Sequence, residues 1–378
     1  MKKHAIIPIF IPHKGCPNDC IFCNQRKITA HSESVSASDI HRTVSRYMST
    51  LSDMNMETIE LSFFGGSFTG IPIEEQQEYL AIAKEYKDRG VIQKIHLSTR
   101  PDYINKKILD NLKTYDVDVI ELGVQSFAEP VLKASNRGHD ASCVYESCAL
   151  IKKYGFTLGI QLMIGLPEDT AEYDVFSAKE AAKIKPQIAR LYPTVVIRDT
   201  GLYQLMEKGL YTPLREKDAV ERTASMYKIL TEAGINVIRV GLKSSDIMSD
   251  GNNTADTFHP AFRQLVEGFL ARQQLEKQIG KLLYEELEAL PLTACPQEDI
   301  PNSRRKTIAL ISNQKCRNTL FGHKGENRQF FKNKYPEADF IYLTDIQAGL
   351  NLKDGEYSAV SLYDIKLKGD IKLKGDLK

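Results

Sequence analysis

The chain has 378 residues, 42% of them hydrophobic, which is enough apolar material for a large core plus a smaller second domain and excludes a disordered or fibrous chain. Fifty basic against 49 acidic residues leave a net charge of +1, so no overall field draws the whole molecule to nucleic acid or to an anionic membrane. No stretch approaches the ~18 consecutive apolar residues of a membrane span, and seven cysteines in a chain of this length do not form a secreted disulfide framework, so a reducing cytoplasm is the expected compartment.

The opening Met1-Lys2-Lys3 followed by His4 to Ile11 has the outline of a signal peptide. Pro8, Pro12 and His13 interrupt it and no small-residue cleavage site follows, so a buried first strand is expected instead. Next comes a tight cysteine segment, and then a helix over Ser36 to Met54, with Ile40, Val44, Tyr47, Met48 and Leu51 at helical spacing. Apolar runs follow at Thr58 to Phe64, Lys94 to Ser98, Val119 to Val124, Phe156 to Ile164 and Ile188 to Val195. Helix-like segments near 73–89, 104–115, 141–154 and 172–184 separate them. That alternation predicts an α/β fold of parallel strands with helical crossovers, six units of which make a partial (β/α)6 TIM-like barrel. A helix at Glu216 to Ala233 and an apolar run at Val237 to Leu242 close this first domain, residues 1–245.

The polar stretch Ser244 to Thr257 reads as a linker. A helix near 261–278, a loop around Pro291 to Pro301 and strand-like runs at 307–311, 339–343 and 357–362 predict a small C-terminal α+β domain over 246–363. Residues 364–378 repeat Lys-Leu-Lys-Gly-Asp and read as a charged, solvated tail without chemistry.

Chemistry concentrates at the end of the first run, where Cys16, Cys20 and Cys23 are spaced C-x3-C-x2-C. Three close thiolates can wrap a four-iron cluster and leave one iron open as a binding site. A zinc knot would need a fourth ligand, usually from a second pair, and Cys143, Cys148, Cys295 and Cys316 offer no second C-x2-C. Cys143 and Cys148 fall in a predicted helix and read as small core residues. At the end of the second run, Gly65-Gly66-Ser67 lets a backbone approach a ligand without side-chain obstruction. A lone glycine pair is also an ordinary turn. Gln161, inside the apolar run Gly159 to Ile164, would be costly unless it faced a polar site.

With Phe22 in the aromatic position, the cysteine segment resembles the signature of the radical S-adenosylmethionine (SAM) superfamily. The phrases Glu121 to Phe127, Asn136 to His139 and Gly159 to Pro167 continue the match over about 160 residues. The resemblance implies a [4Fe-4S] cluster on the three cysteines and SAM on its open iron, with reductive cleavage giving a 5′-deoxyadenosyl radical. It further implies that Gly65 and Gly66 meet the SAM amino group, with Ser67 where the family often has an acid. Gln125 and Gln161 are then placed for the ribose, Arg137 for the carboxylate and Ser98 for the same pocket. A flavodoxin or ferredoxin would supply the electron. An arginine fork suits a carboxylate because it can bind both oxygens.

Ser98 to Ile104, Asn136 to His139 and Leu191 to Ile197 resemble the radical SAM half of the Elongator catalytic subunit, which modifies the wobble uridine of tRNA. The short first cysteine spacing is that of oxygen-independent coproporphyrinogen III oxidase, a more distant resemblance. Beyond Ser245 the nearest candidate for an acetyl-CoA loop is Gly322 to Gly325, which reads better as a loop before a helix, so no acetyltransferase activity is expected.

Residues 301–334 hold nine basic residues and one acidic, with Phe321, Phe330 and Phe331 interleaved. Cations for phosphates with aromatics for bases suit RNA, whereas a solvated helix face over core phenylalanines is the plainer reading. Three functions follow: a radical SAM enzyme on tRNA or other RNA, the same chemistry on a tetrapyrrole-like small molecule, or a non-catalytic cluster or haem carrier. Arg100, His139 and Tyr192, close to strand ends, are the candidate substrate-side catalytic residues.

Overall fold

A computed structural model describes residues 4–11, 20–23, 35–242, 259–284 and 306–362. Cys16, the linker 244–257, the loop 291–301, Arg304, Arg305 and the tail 364–378 lie outside the described residues. The chain divides into two compact units, Met1–Pro260 and Ala261–Lys378.

The first unit is a parallel sheet of seven described strands paired in chain order: β1 (His4–Ile11), β2 (Thr58–Gly65), β3 (Lys94–Thr99), β4 (Val119–Gln125), β5 (Thr157–Ile164), β6 (Ile188–Pro193) and β7 (Asn236–Val240). The six expected strand-and-helix units are present, and the apolar run after the last of them adds β7 beside β6. Helices fill the crossovers: α1 (Ala37–Leu51), α2 (Ile73–Asp88), α3 (Lys106–Thr114), α4 (Glu129–Ala134), α5 (Ala141–Lys153), α6 (Ala171–Ile184), α7 (Gly201–Glu207) and α8 (Glu216–Glu232). α1 starts where a capping box can form, since Ser36 accepts from the Asp39 amide and Asp39 accepts from the Ser36 amide. Its Ile40, Val44 and Leu51 are buried.

The strands obey a two-residue alternation that sorts the sheet into two unlike faces. Ile7, Ile9, Leu61, Phe63, Ile95, Leu97, Ile120, Leu122, Leu158, Ile160 and Leu191 are fully or almost fully buried. Phe63 stacks on Tyr79 of α2 with centroids 6.5 Å apart, which places this apolar face under the helices. The alternate positions carry Glu60, Ser62, His96, Ser98, Glu121, Gln125, Gln161, Arg190 and Tyr192. A parallel sheet normally buries apolar residues on both faces. Here one face of a partial barrel is polar, and its charged groups pair across strands.

In the second unit a long helix, α9 (Phe262–Tyr284), packs on a three-stranded sheet of order β10 (Tyr357–Ser361), β8 (Lys306–Ser312), β9 (Ala338–Thr344). β8 pairs parallel with β9 and antiparallel with β10. Between β8 and β9 lie α10 (Arg317–Phe321) and α11 (Glu326–Lys334), and α12 (Asp345–Ala348) follows β9. Ala271, Leu275 and Ile279 of α9 meet Ile308, Leu310, Leu320 and Phe331 in the core. Among the described residues no helix is long and apolar enough to cross a membrane.

Candidate active site

Parallel strands in sequential order bring their C-terminal ends, Ile11, Gly65, Thr99, Gln125, Ile164 and Pro193, along one rim. The Cys20–Cys23 turn is fastened on this unit by backbone bonds on both sides of Ile21: its amide donates to Ser135 O at 3.2 Å and its carbonyl accepts from Leu202 at 2.7 Å. The Cys23 amide closes the turn on Cys20 O at 2.9 Å. Gly201 is a glycine because a Cβ there would lie 2.8 Å from the Ile21 side chain. Phe22, expected to touch cofactor, is partly buried against Ala128, Val131 and Leu166, so its packing anchors the turn.

Gly65 has φ +106°, and a Cβ there would sit 2.5 Å from Ile11 O. Only glycine fits this backbone. The Gly66 amide donates to the same Ile11 oxygen at 3.0 Å. Ser67 is buried, and the turn after it is held by the Thr69–Thr99 hydroxyl pair at 2.6 Å and by Gln76, whose amide donates to Ile71 O at 2.8 Å. At the end of β4, Gln125 adopts φ +71°, where the pairing with β5 shifts register. Its Oε1 accepts from Gln161 Nε2 at 3.0 Å. Gly123 leaves the room these groups need, since a Cβ there would be 3.0 Å from Gln125 Nε2 and 3.7 Å from Arg137 Nη2.

Two guanidiniums converge on Cys20, which is 7% exposed. Arg137 Nη1 donates to Cys20 Sγ at 3.0 Å and Nη2 to Gly123 O, while its buried Nε makes no hydrogen bond. Arg100 Nη1 lies 3.6 Å from the same sulfur. Arg100 Nε and Nη2 donate to Asp102, and Nη2 also donates to Arg137 O.

Residues 10–177 match the family model of the Radical SAM superfamily, and residues 186–272 match that of the Radical_SAM C-terminal domain. Residues 10–177 are thus a radical SAM domain. Human Elongator complex protein 3 is 32% identical over 199 residues, covering 47% of this chain and 36% of that protein. The tRNA uridine(34) acetyltransferase of Methanocaldococcus infernus is 30% identical over 185 residues, covering 44% and 35%. The chain thus spans about a third of the length of these curated relatives. In fold it is similar to the solved structure of the archaeal Methanocaldococcus infernus Elp3, with TM-score 0.53 and 22% identity over 66% of this chain and 62% of that one.

The described residues fit the radical SAM cofactors. Cys20 and Cys23 share one pinned turn, Gly65 lets the end of β2 lie close against the Ile11 backbone, and the unpartnered Arg137 Nε is a buried donor that a carboxylate would satisfy. Ser98, half-buried on β3, faces the polar side of the sheet. His139 keeps a buried Nε2 without a hydrogen bond. Burial and the nearby Arg137 charge lower its pKa to about 4, so it is neutral at pH 7. Arg100 is only 3% exposed, with its donors aimed at Asp102, Arg137 O and the cysteine.

Tyr192 belongs to a different group: a buried ionic row across the polar face. His96 Nδ1 meets Glu60 Oε1 at 2.6 Å, Arg190 Nε pairs with Glu121 Oε2 at 2.8 Å, and Arg190 Nη1 donates to Tyr192 Oη at 3.3 Å. Burial alone would raise the Glu60 carboxyl, but the His96 hydrogen bond and charge and the Ser62 hydroxyl outweigh it and hold Glu60 at about 2. Burial disfavours the Arg190 charge, yet the Glu121 carboxylate more than compensates and raises its pKa. Sequence reasoning missed this row. Its signal was present: Thr-Ile-Glu-Leu-Ser and Lys-Ile-His-Leu-Ser put charged or polar residues at every second place of a strand otherwise apolar, and Arg190-Leu191-Tyr192 repeats the alternation.

In the second unit Phe331 is core, so it is not available to stack on a base. Arg272 lies over the Phe330 ring at 4.5 Å. Phe321 differs: Arg317 and Arg328 flank its ring at 5.5 and 5.3 Å, beside an open depression of about 340 Å³ that Lys324, Arg328 and Gly322 help to line. Cys148 is buried and its thiol is pushed up to about 12 by burial, in keeping with a core role.

Proposed function

We propose that this chain is a cytoplasmic radical SAM enzyme acting on tRNA, with a [4Fe-4S] cluster on Cys16, Cys20 and Cys23. When bound, the cluster would supply one electron that cleaves the SAM sulfonium to a 5′-deoxyadenosyl radical. The observation that carries the reading is Arg137, which gives one N–H to Cys20 Sγ at 3.0 Å and keeps its Nε unpartnered. A buried guanidinium so placed would hold a carboxylate beside the cysteine turn. In this reading Gly65 and Gly66 would meet the SAM amino group through their backbone, the paired amides of Gln125 and Gln161 would face the ribose hydroxyls, and Ser98 would line the same face. A flavodoxin or ferredoxin would deliver the electron.

The tRNA assignment is supported by the similarity to the tRNA uridine(34) acetyltransferase of Methanocaldococcus infernus. It also draws on Phe321 flanked by Arg317 and Arg328, a pairing of π-face and cations suited to an unstacked base and its phosphates.

Anaerobic reconstitution, reduction and measurement of 5′-deoxyadenosine with and without bulk tRNA test the reading. Stimulation by tRNA is expected, and it should weaken at higher salt and in an R317A/R328A variant. Equal product with and without tRNA would favour a small-molecule substrate, and no product under any condition would favour a non-catalytic carrier.

A further inference from the structure

Arg100 follows β3 and leads into the short 3-10 turn Pro101–Tyr103. The residue is 3% exposed and its guanidinium is directed three ways. Nε and Nη2 grip the two oxygens of Asp102 at 2.9 Å each, Nη2 also donates to Arg137 O, and Nη1 points at Cys20 Sγ from 3.6 Å. No lysine could satisfy that set, because an ammonium presents its donors from a single atom whereas the planar fork spreads them. Arg100 addresses the cysteine, and it holds the backbone of the residue that also reaches the cysteine.

We infer that Arg100, oriented by Asp102, is a positioning residue that raises the reduction potential of the cluster through Cys20. The inference rests on the cluster reading above. An N–H donor and a positive charge beside a ligating sulfur stabilise the more negative, reduced state of a cluster. Burial keeps water from screening that field. Asp102 works in the opposite sense: its carboxylate orients the guanidinium but offsets part of its charge. Arg100 and Asp102 therefore form a matched pair whose two charges displace the potential in opposite directions.

The experiment compares wild type, R100Q and D102N after anaerobic reconstitution, reading iron and sulfide content first and then the midpoint potential from the EPR signal of the reduced cluster at a series of poised potentials. R100Q is expected to shift the midpoint to more negative values, and D102N to more positive ones. A merely structural role would not give shifts of opposite sign. Full cluster content with an unchanged midpoint in R100Q, or shifts of the same sign in both variants, overturns the inference. Should R100Q fail to take up iron, D102N decides alone, since an unchanged or more negative midpoint there contradicts the assignment. Wild type that takes up no iron and shows no cluster absorbance would instead refute the cluster reading itself, an outcome distinguishable from the others before any variant is measured.

Discussion

Gln161 on β5 donates its Nε2 hydrogen to Gln125 Oε1 on β4 at 3.0 Å, and this bond spans the place where the two strands shift register. Gln125 sits at φ +71°, a conformation that a long side chain keeps only when its surroundings hold it. Replacing Gln161 by Leu leaves the buried Gln125 oxygen unpaired, a cost of about 1–3 kcal/mol. In the SAM reading it also removes an amide from the ribose side, so SAM affinity should fall about tenfold, equivalent to about 1.4 kcal/mol. Calorimetric titration of reconstituted Q161L with SAM checks this; an unchanged Kd would remove the glutamine pair from the site.

Gly65 and Gly90 offer a controlled pair of alanine substitutions. Both have positive φ, +106° and +72°, but a Cβ at Gly65 would meet Ile11 O at 2.5 Å whereas nothing lies within 4 Å of one at Gly90. G90A should cost about 1 kcal/mol, the dihedral penalty alone. G65A should cost at least about 2 kcal/mol more, because β1 must move as well. Urea midpoints of the two variants measure the difference, and equal losses would show that the rim yields without strain.

Most of the first unit was legible in the sequence because parallel strands with helical crossovers leave two separate periodicities, and those at Thr58, Lys94, Val119 and Ile188 mark strand starts. The cysteine turn was legible for a similar reason, since ligand spacing is local. Arg100 was not. Its distance to Cys20 depends on how β3 and the first loop come together, 80 residues apart in the chain, and no local pattern carries that information. For Phe331 the charged neighbours left two readings open, a stacking surface or a core ring, and α11 turns it into the core beneath α9. The ionic row was visible as alternation on single strands, yet its partners could be matched only once the strand order was known.

That row makes a pH prediction. Glu60 titrates at about 2 in the folded chain against an ordinary 4.5, so the folded state binds its proton less readily than the unfolded state. The stability this contributes is whole above pH 4.5 and is lost as pH falls toward 2; full expression would be about 3 kcal/mol. H96L removes the largest stabilising partner and leaves Glu60 and Glu121 facing an apolar side chain. Its acid-unfolding midpoint, followed by circular dichroism, should move to higher pH than that of wild type. Identical acid midpoints would mean that His96 does not hold the Glu60 charge.

Arg222 on α8 is braced between two buried carboxylates, with Nη2 on Asp169 at 2.9 Å and Nε on Asp174. Asp169 in turn accepts from the Gly165 amide at 2.7 Å, and Tyr211 donates to Gly165 O at 2.6 Å, so this cluster fixes the loop that leaves β5. Burial and the neighbouring Asp169 charge raise the Asp174 carboxyl well above its ordinary range, in spite of Arg222. Stability linked to such a raised group is present at low pH and is lost as pH rises through the folded value. D174N keeps an oxygen for Arg222 and removes one of the two crowded charges, so it should exceed wild type in stability at pH 9 and lose that advantage at pH 5. R222M has the reverse character: it strands both carboxylates and should cost about 3–5 kcal/mol at neutral pH, with D174N added to it recovering part of the loss. Urea unfolding of the four proteins at the two pH values gives the whole cycle, and a D174N advantage that does not depend on pH would show that the pair is not competing for a proton.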